Sequence, residues 1–307
     1  MSDESRISQD RMDRGSNPAK APVVVEGRSL WYQAWRRLLR NKMALIGGVI
    51  IVSIAILALL APVISPYDYD ETSVEQFTPP SREHLMGTDI HGRDLLTRIL
   101  YGARLSLGIG MAATLVSLII GVSYGAVSGY AGGSTDNMMM RVVDIFYSLP
   151  YMFFVIILVA VFGRSVLLLF LALGAVQWLT VARIVRGQVL SIKEKEYVQA
   201  SRAVGAGHLR IICNHILPNV LGPVVVYMTL TVPAVMLQEA FLSFLGLGVP
   251  PPYSSWGTLI ADGASAINML RIYWWLLVFP GIAMALTLFS LNFLGDGLRD
   301  AIDPQLR

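Results

Sequence analysis

Few side chains in this chain are of the types that catalyse reactions or bind metal ions. The sequence has four histidines and one cysteine, and Cys213 and His215, with His208 nearby, come closest to a ligand set. A structural zinc site takes four ligands in a compact pattern, and these three residues have no fourth. A packing or surface role is therefore favoured for them. We predict no catalytic site, no metal site and no cofactor bound by this chain, because no nucleophile, base and metal constellation emerges.

The sequence also lacks a phosphate-binding loop of the pattern Gly-x-x-x-x-Gly-Lys-Ser/Thr. Such a loop holds nucleotide phosphates with its backbone N–H groups and its lysine. We therefore expect that this chain does not bind ATP by that device. Any ATP-driven step must then depend on another protein.

Two residues of one long apolar segment are candidates for a gate or a translocation path. Glu239 follows the apolar run 216–238, and an ionisable residue at membrane depth is a functional candidate by default. The alternative is that Glu239 lies close enough to the membrane surface to be solvated. Pro233 can bend the same segment, because proline removes a backbone donor and clashes with the preceding turn. Such a bend could serve as a hinge or only as a packing device.

The composition predicts the elements that must carry these residues. The chain has 307 residues, of which 54% are hydrophobic and 15% charged, with a mean hydropathy of +0.58. A helix needs about 20 apolar residues to cross the hydrocarbon core of a bilayer, and only helices keep all backbone polar groups paired in such a run. Six runs are long enough: 43–64, 105–130, 145–163, 165–182, 216–238 and 272–295. The predicted fold class is an all-α membrane protein with six transmembrane helices.

The distribution of basic residues predicts the orientation of these spans. If the N-terminus is cytoplasmic, 18 of the 24 Lys and Arg residues fall in cytoplasmic segments, as the positive-inside rule requires. Both termini are therefore predicted inside. The predicted organisation is a disordered cytoplasmic tail 1–28, a six-helix domain 43–295 with an external loop 65–104 and a cytoplasmic loop 183–218, and a cytoplasmic tail 296–307. The net charge of +3 needs no nucleic-acid partner, because anionic lipid attracts basic residues beside membrane ends.

Residues 29–42 are predicted to form an amphipathic helix before the first span. Helical spacing places Trp31, Trp35, Leu38 and Leu39 on one face, away from the arginines. Such a helix lies along the lipid headgroups. The other interpretation is a basic flank with no further task.

Glycines at four-residue spacing predict close helix packing in the second span. Gly121, Gly125 and Gly129 lie on one helical face, and small residues let another helix approach closely in lipid. Packing within this chain and packing at a subunit interface are both open.

Residues 194–219, EKEYVQASRAVGAGHLRIICNHILPN, are charged and basic although both flanks are apolar. Ser191 and Glu194 match a capping box, and Gly205 matches a helix stop, which predicts one short helix with an apolar face of Tyr197, Ala200 and Val204. A second short helix is predicted over 207–217, ending at Pro218. Helices this short are marginal in water unless an apolar face is covered. A partner protein is the favoured cover.

This stretch resembles the Glu-Ala-Ala loop of binding-protein-dependent ABC importer permeases. The matching positions are Gln199-Ala200-Ser201, Gly205 and Leu217-Pro218. Gln199 stands where the family usually has Glu, and His215 stands at an Ile position. The resemblance implies that the loop docks an ATPase and couples its cycle to transport, through the residues Tyr197, Gln199, Ala200, Ser201, Ala203, Gly205, Leu209, Leu217 and Pro218.

The resemblance to this family extends over nearly the whole chain from Glu26. The matching stretches are GTDIHGRDLLTRILYGARLSL (87–107), GYAGGSTDNMMMRVVDIFYSLP (129–150), ARIVRGQVLS (182–191), FLSFLGLG (241–248), SSWG (254–257) and GDGLRDAIDP (295–304). They are similar to the dipeptide, oligopeptide and nickel permeases. The EGRSLW and ARIVRGQ stretches are most similar to the C-subunit branch of the oligopeptide permeases.

Membership of this family would imply the type I ABC importer permease fold, with a cytoplasmic coupling helix, in a bacterial cytoplasmic membrane. It would also imply four kinds of partner: a second homologous permease, two cytoplasmic ATPases that bind ATP and Mg, an extracytoplasmic peptide-binding protein, and membrane lipid. The expected cargo is oligopeptides, with dipeptides or nickel as alternatives. An ATP-independent secondary transporter is the rival class, but the six spans show no evident inverted repeat.

Overall fold

In the computed structural model, residues 30–267 and 271–302 are described, and their regular elements are helices. In chain order they are α1 (Leu30–Arg40), α2 (Lys42–Ile64), α3 (Leu95–Ala131), α4 (Gly133–Ser148), α5 (Tyr151–Phe162), α6 (Val166–Lys193), α7 (Glu196–Ala203), α8 (His208–Ile211), the π-helix π1 (Ile212–Ile216), α9 (Leu217–Phe244), α10 (Trp256–Ser265) and α11 (Trp275–Ile302). The predicted tail 1–28 lies outside the described residues.

The helices account for the predicted membrane spans. Among the described residues, five helical segments are long and apolar enough to cross a membrane, and the bent pair α4 and α5 makes a sixth if it counts as one span. The predicted fold class, an all-α membrane protein, is confirmed.

The third predicted span, 145–163, is not a single straight helix. Helices α4 and α5 meet at an angle of 78°. The break falls at Leu149, which has extended backbone angles (φ −81°, ψ 135°) and precedes Pro150. A residue before proline is pushed out of the helical region, because the proline ring collides with its backbone. The Leu-Pro pair therefore bends the span within its apolar run.

Helix α3 begins ten residues before the predicted span at 105. Asp94 caps it, and the Asp94 carboxylate accepts a hydrogen bond from the Thr97 N–H over 2.8 Å. The first turns contain Arg98 and Arg104. Because these residues are charged, the predicted apolar run began only after them, at residue 105. Residues 95–104 of the predicted loop 65–104 are therefore helical. At the other end of the chain, α11 continues through Ile302, so part of the predicted tail 296–307 is also helical.

The glycine face of α3 packs against α6 within this chain. A Cβ atom added at Gly121 would lie 2.5 Å from Val181 Cβ, and one at Gly129 would lie 2.9 Å from Val189 Cβ. Gly125 faces the Ala182 carbonyl oxygen just as closely. Any side chain at these positions would force the helices apart. The glycines therefore serve packing inside the subunit, the first of the two predicted alternatives.

Helix α1 precedes α2 with a break at Asn41, whose side chain caps α2 by accepting from the Met43 and Ala44 N–H groups. Leu38 faces α11, where its Cδ1 would lie 3.3 Å from a Cβ added at Gly297. The Trp35 and Leu39 side chains are exposed. Part of the predicted apolar face of α1 is thus used inside the chain, and part is left outside.

Candidate functional site

The segment that resembles the Glu-Ala-Ala loop is formed by α7, α8 and π1, and we call it the short-helix segment. Its first helix begins at Glu196, and the preceding Lys195 provides no side-chain cap. The predicted capping box at Ser191 is wrong, because Ser191 lies inside α6. Helix α6 continues past it since Val189 and Ile192 are still buried there.

The first short helix ends as predicted. Gly205 has a positive φ of +86°, and its N–H donates to the Arg202 carbonyl over 3.0 Å. The Ala206 N–H donates to the Ser201 carbonyl over 3.1 Å. These two bonds make a Schellman motif, which needs a left-handed residue where glycine has no steric cost.

The second predicted short helix, 207–217, does not stop at Pro218. The chain is helical without a break from His208 to Phe244. The π-helix π1 lies directly before Leu217 and Pro218, and local π turns can accommodate the hydrogen bond that proline cannot donate. The short-helix segment is therefore continuous with the long membrane helix α9.

The short-helix segment has two different faces. Val198, Ile211 and Ile216 are fully buried and pack in one cluster with residues of α6 and α9. In contrast, Tyr197 is 45% exposed, Val204 90% and Leu209 78%. The predicted apolar face of the first helix is thus the outward one. Of the other predicted residues, Gln199, Ala200, Ala203, Gly205 and Pro218 are exposed, and Ser201 and Leu217 are half-buried.

Polar contacts join α7 to π1 within the segment and hold the segment against α3. Ser201 Oγ lies 3.2 Å from His215 Nε2, and the Tyr130 hydroxyl lies 3.0 Å from His208 Nδ1. The Arg202 guanidinium lies over the Tyr130 ring, 5.4 Å from its centre. These contacts explain both histidines structurally. Within the described residues, no three His, Cys, Asp or Glu side chains are grouped as metal ligands.

Glu239 is buried within the chain, which rules out the alternative of a solvated carboxylate. Glu239 is only 2% exposed. Its Oε1 accepts hydrogen bonds from Ser243 Oγ over 2.8 Å and from Ser255 Oγ over 2.7 Å. Ser255 is also the N-cap of α10. Glu239 therefore links α9 to the start of α10, while Pro233 is buried inside α9.

A group of charges, three of them buried and one half-exposed, lies at the N-terminal end of α3, and sequence reasoning missed it. The Asp89 carboxylate accepts from Arg93 Nε over 2.8 Å and from Arg98 Nη1, and Arg98 Nη1 also lies 3.8 Å from Asp262 of α10. We call these four residues the charge cluster. Burial alone would raise the pKa of Asp89, but Arg98 and the Arg93 amide outweigh it and hold the pKa below the usual aspartate range.

Trp256 is only 2% exposed, and its Nε1 donates to the Ile99 carbonyl over 3.0 Å. Its backbone N–H donates to Ser106 Oγ over 2.9 Å. Trp256 therefore fastens α10 to α3, and Tyr253 remains exposed.

Comparisons with known proteins agree with this architecture. Residues 117–307 match the family model described as "Binding-protein-dependent transport system inner membrane component", and residues 29–80 match "N-terminal TM domain of oligopeptide transport permease C".

Relatives match along nearly the full chain. The "Oligopeptide transport system permease protein OppC" of Haemophilus influenzae is 50% identical over 288 residues, which cover 93% of this chain and 92% of the relative. The "Dipeptide transport system permease protein DppC" of Bacillus subtilis is 45% identical over 306 residues, covering 99% and 94%.

A solved structure shares the fold at low sequence identity. It describes inward-facing conformations of the MetNI methionine ABC transporter, with a TM-score of 0.55, 18% identity and coverage of 67% of this chain and 96% of that one. The spans, the family models and the relatives together show that this chain belongs to the binding-protein-dependent transport system inner membrane components, as a multi-pass permease with the type I ABC importer fold.

Proposed function

We propose that this permease imports oligopeptides as one of two homologous permease subunits, and that its short-helix segment docks a cytoplasmic ATPase. The observation that carries the docking proposal is the division of the segment into two apolar faces. One face is fully buried in this chain. The other is exposed although it is apolar, which is typical of a surface that a partner covers.

The outward face has the chemistry of a protein contact. Tyr197, Val204 and Leu209 are the exposed apolar side chains, and the exposed bases Arg202 and Arg210 flank them. Apolar area removed from water contributes about 25 cal/mol per Å², so covering these side chains would stabilise a complex. The flanking charges favour a partner surface with an acidic rim.

The segment is also placed to transmit movement. It is anchored on α6 through Val198 and continues directly into α9 through Ile216. A partner that tilts the segment would therefore move both helices. In this proposal the partners are two ATPases that bind ATP and Mg, since this sequence has no phosphate-binding loop of its own.

The proposed orientation places both termini and the short-helix segment in the cytoplasm of a bacterial cell. The excess of Lys and Arg on that side supports it. The opposite side would then meet an extracytoplasmic peptide-binding protein, with residues 65–94 and the exposed Tyr253 available to it. A single cysteine at Thr78, with Cys213 replaced, should react with an impermeant reagent from outside. Reaction only from inside would contradict the proposed orientation.

Oligopeptides are the proposed cargo because relatives about half identical to this chain are named oligopeptide permeases. Dipeptides are the second candidate, because a relative 45% identical is named a dipeptide permease. Uptake of labelled tri- to pentapeptides should fall to background in cells that lack this chain. Nickel uptake measured beside it tests the remaining alternative, and unchanged peptide uptake with lost nickel uptake would overturn the peptide assignment.

The substitution Gly205→Val tests the docking proposal. A β-branched side chain at the φ of +86° costs on the order of 1–3 kcal/mol, so the Schellman turn should deform while the spans stay inserted. We expect less ATPase to co-purify and uptake to fall. Gly207→Ala is the matched control, because Gly207 has an ordinary φ of −65° and open space around it. Normal uptake and normal stimulation of the ATPase in Gly205→Val would contradict the proposal.

A further inference from the structure

The bend between α4 and α5 forms a half-open cavity against α6. Its volume is about 220 Å³, and we call it the bend cavity. Aromatic side chains form much of its wall: Phe146, Tyr151, Phe154 and Trp178, with Ala175 at its α6 side. The cavity exists because Pro150 turns the chain by 78°, which leaves the inside of the angle unfilled.

Polar groups lie beside the bend cavity on α4 and α6. Arg183 Nη2 donates to Asp144 Oδ1 over 2.6 Å, and the Tyr147 and Thr180 hydroxyl oxygens are 2.8 Å apart. The Arg183 guanidinium also lies 4.2 Å from the centre of the Tyr147 ring. Arg183 follows the cavity residue Leu179 by four positions in α6, which is the next turn of the same helix face.

The ion pair remains open to contact. The side chain of Arg183 is 43% exposed and that of Asp144 is 63% exposed. Asp144 pairs with Arg183 and not with Arg141 of its own helix, so the ion pair joins α4 to α6 beside the cavity. An accessible guanidinium and an accessible carboxylate are therefore presented together, next to an apolar recess.

This combination fits a peptide better than an anionic lipid. An anionic headgroup would be attracted by Arg183 but repelled by Asp144. A peptide carries an ammonium group, a carboxylate and amides together, so it can satisfy both charges and the two hydroxyl groups. A dry cavity of about 150 Å³ holds a benzene molecule, so the larger bend cavity has room for one aromatic side chain.

We propose that the bend cavity and its ion pair form a peptide subsite within the translocation path of this permease. The cavity takes one apolar side chain of the transported peptide, and Asp144, Arg183 and the Tyr147–Thr180 pair bind its charged and polar backbone groups. This inference rests on the proposed peptide import. One side-chain pocket beside a solvated ion pair binds weakly, which suits a path that must release its cargo.

The first test fills the cavity. Ala175→Phe places a ring in it, whereas Leu171→Phe adds a ring to the same helix one turn earlier, outside the cavity. Uptake of Ala-Phe-Ala and of tri-alanine is measured in cells that carry the complete transporter. We expect Ala175→Phe to lower uptake of Ala-Phe-Ala at least about fivefold more than uptake of tri-alanine, and Leu171→Phe to leave the ratio of the two unchanged.

Equal losses for both peptides in Ala175→Phe, or no loss, would overturn the subsite. Failure of the unaltered transporter to import either peptide would instead overturn the proposed function, so the two failures are distinguishable.

The second test asks what covers the cavity. In a complex with Cys213 replaced, Ala175→Cys should react with a thiol reagent, and Ala-Phe-Ala should slow this reaction more than tri-alanine does. If the cysteine is inert in the assembled complex and cross-links to the second permease, a partner helix occupies the cavity and the subsite is wrong. Equal reaction rates with and without peptide would also overturn it.

Discussion

The two ends of α3 are fastened in different ways. At its start, buried ion pairs of Asp89 with Arg93 and Arg98 tie the preceding loop to α3, and Arg98 also lies 3.8 Å from the half-exposed Asp262 of α10. Near its end, at Tyr130, the short-helix segment rests mainly on the aliphatic side chains Val198, Ile211 and Ile216. A helix of 37 residues is about 55 Å long. Two differently built regions therefore lie at opposite ends of a helix that is long enough to cross a membrane.

The difference follows from what each kind of contact tolerates. Buried ion pairs have directional hydrogen bonds, and a lost partner leaves a charge without compensation, so they hold one geometry. Aliphatic contacts are not directional, and a segment held by them can tilt at small cost. The charge cluster is thus suited to a fixed end of the molecule. The short-helix segment is suited to an end that a partner moves.

The largest effect is expected when the charge cluster loses its central cation. Arg98→Ala leaves the buried Asp89 without that partner, and breaking a buried ion pair costs about 3–5 kcal/mol. We expect a clear fall in the thermal unfolding midpoint of the purified complex in detergent. Arg104→Ala is the matched control, because Arg104 is exposed in the same helix. Similar unfolding midpoints for the two variants would contradict the conclusion that the charge cluster holds this end of α3 in one geometry.

A paired substitution in the short-helix segment separates its two faces. Ile211 is fully buried and Leu209 is exposed. Ile211→Ala should lower the free energy of unfolding by about 2 kcal/mol or more, through lost burial and a residual cavity. Leu209→Ala should leave stability nearly unchanged and reduce the amount of ATPase that co-purifies. If Leu209→Ala unfolds the protein as readily as Ile211→Ala, the division into an anchored and a free face is wrong.

Substitutions of Glu239 test whether its hydrogen bonds hold α10 against α9. Glu239→Ala leaves the Ser243 and Ser255 hydroxyls without their acceptor, which costs about 1–3 kcal/mol. Glu239→Gln keeps an acceptor oxygen in place and should lose less. Thermal unfolding of both variants measures the difference. An equal loss would show that the negative charge, and not the hydrogen-bond geometry, holds α10.

The smallest expected effect is a dependence of stability on acid. The pKa of Asp89 is held below the unfolded-state value of 3.8, so its ion pairs stabilise the fold above that value. This contribution is lost as the pH falls from about 4 through the lowered pKa. Unfolding midpoints of the wild type should therefore fall more steeply between pH 5 and pH 3 than those of Asp89→Asn. Parallel curves would show that Asp89 does not differ between the folded and unfolded states.

The sequence predicted the features that depend on neighbouring residues. The stop at Gly205 was predicted because only glycine enters the left-handed region without steric cost, and the structure gives this residue a φ of +86°. The packing of Gly121 was predicted for a similar reason, since a missing side chain allows close approach. Features that depend on distant partners were not predicted. Asp144 pairs with Arg183, 39 positions away, and not with Arg141 in the same helix.

The predicted helix boundaries were wrong where tertiary contacts override local sequence signals. A run of apolar residues gave no reason to start a helix at Leu95, because Arg98 and Arg104 interrupt it. In the structure Arg98 is neutralised by Asp89, so the charge can lie inside the helix. The Ser191 cap failed for the opposite reason, since burial of Val189 and Ile192 carries α6 beyond the cap.

The sequence by itself determined that this protein is a bundle of membrane helices, that the segment around Gly205 differs from its surroundings, and that the chain resembles a permease family. Composition, chain-local sterics and motif spacing are enough for these conclusions. Only the tertiary structure decided that Glu239 and Trp256 are buried, which face of the short-helix segment is outward, and that a cavity opens at Pro150 beside Arg183. Burial and ion pairing join residues far apart in the chain, and one sequence read alone does not contain those distances.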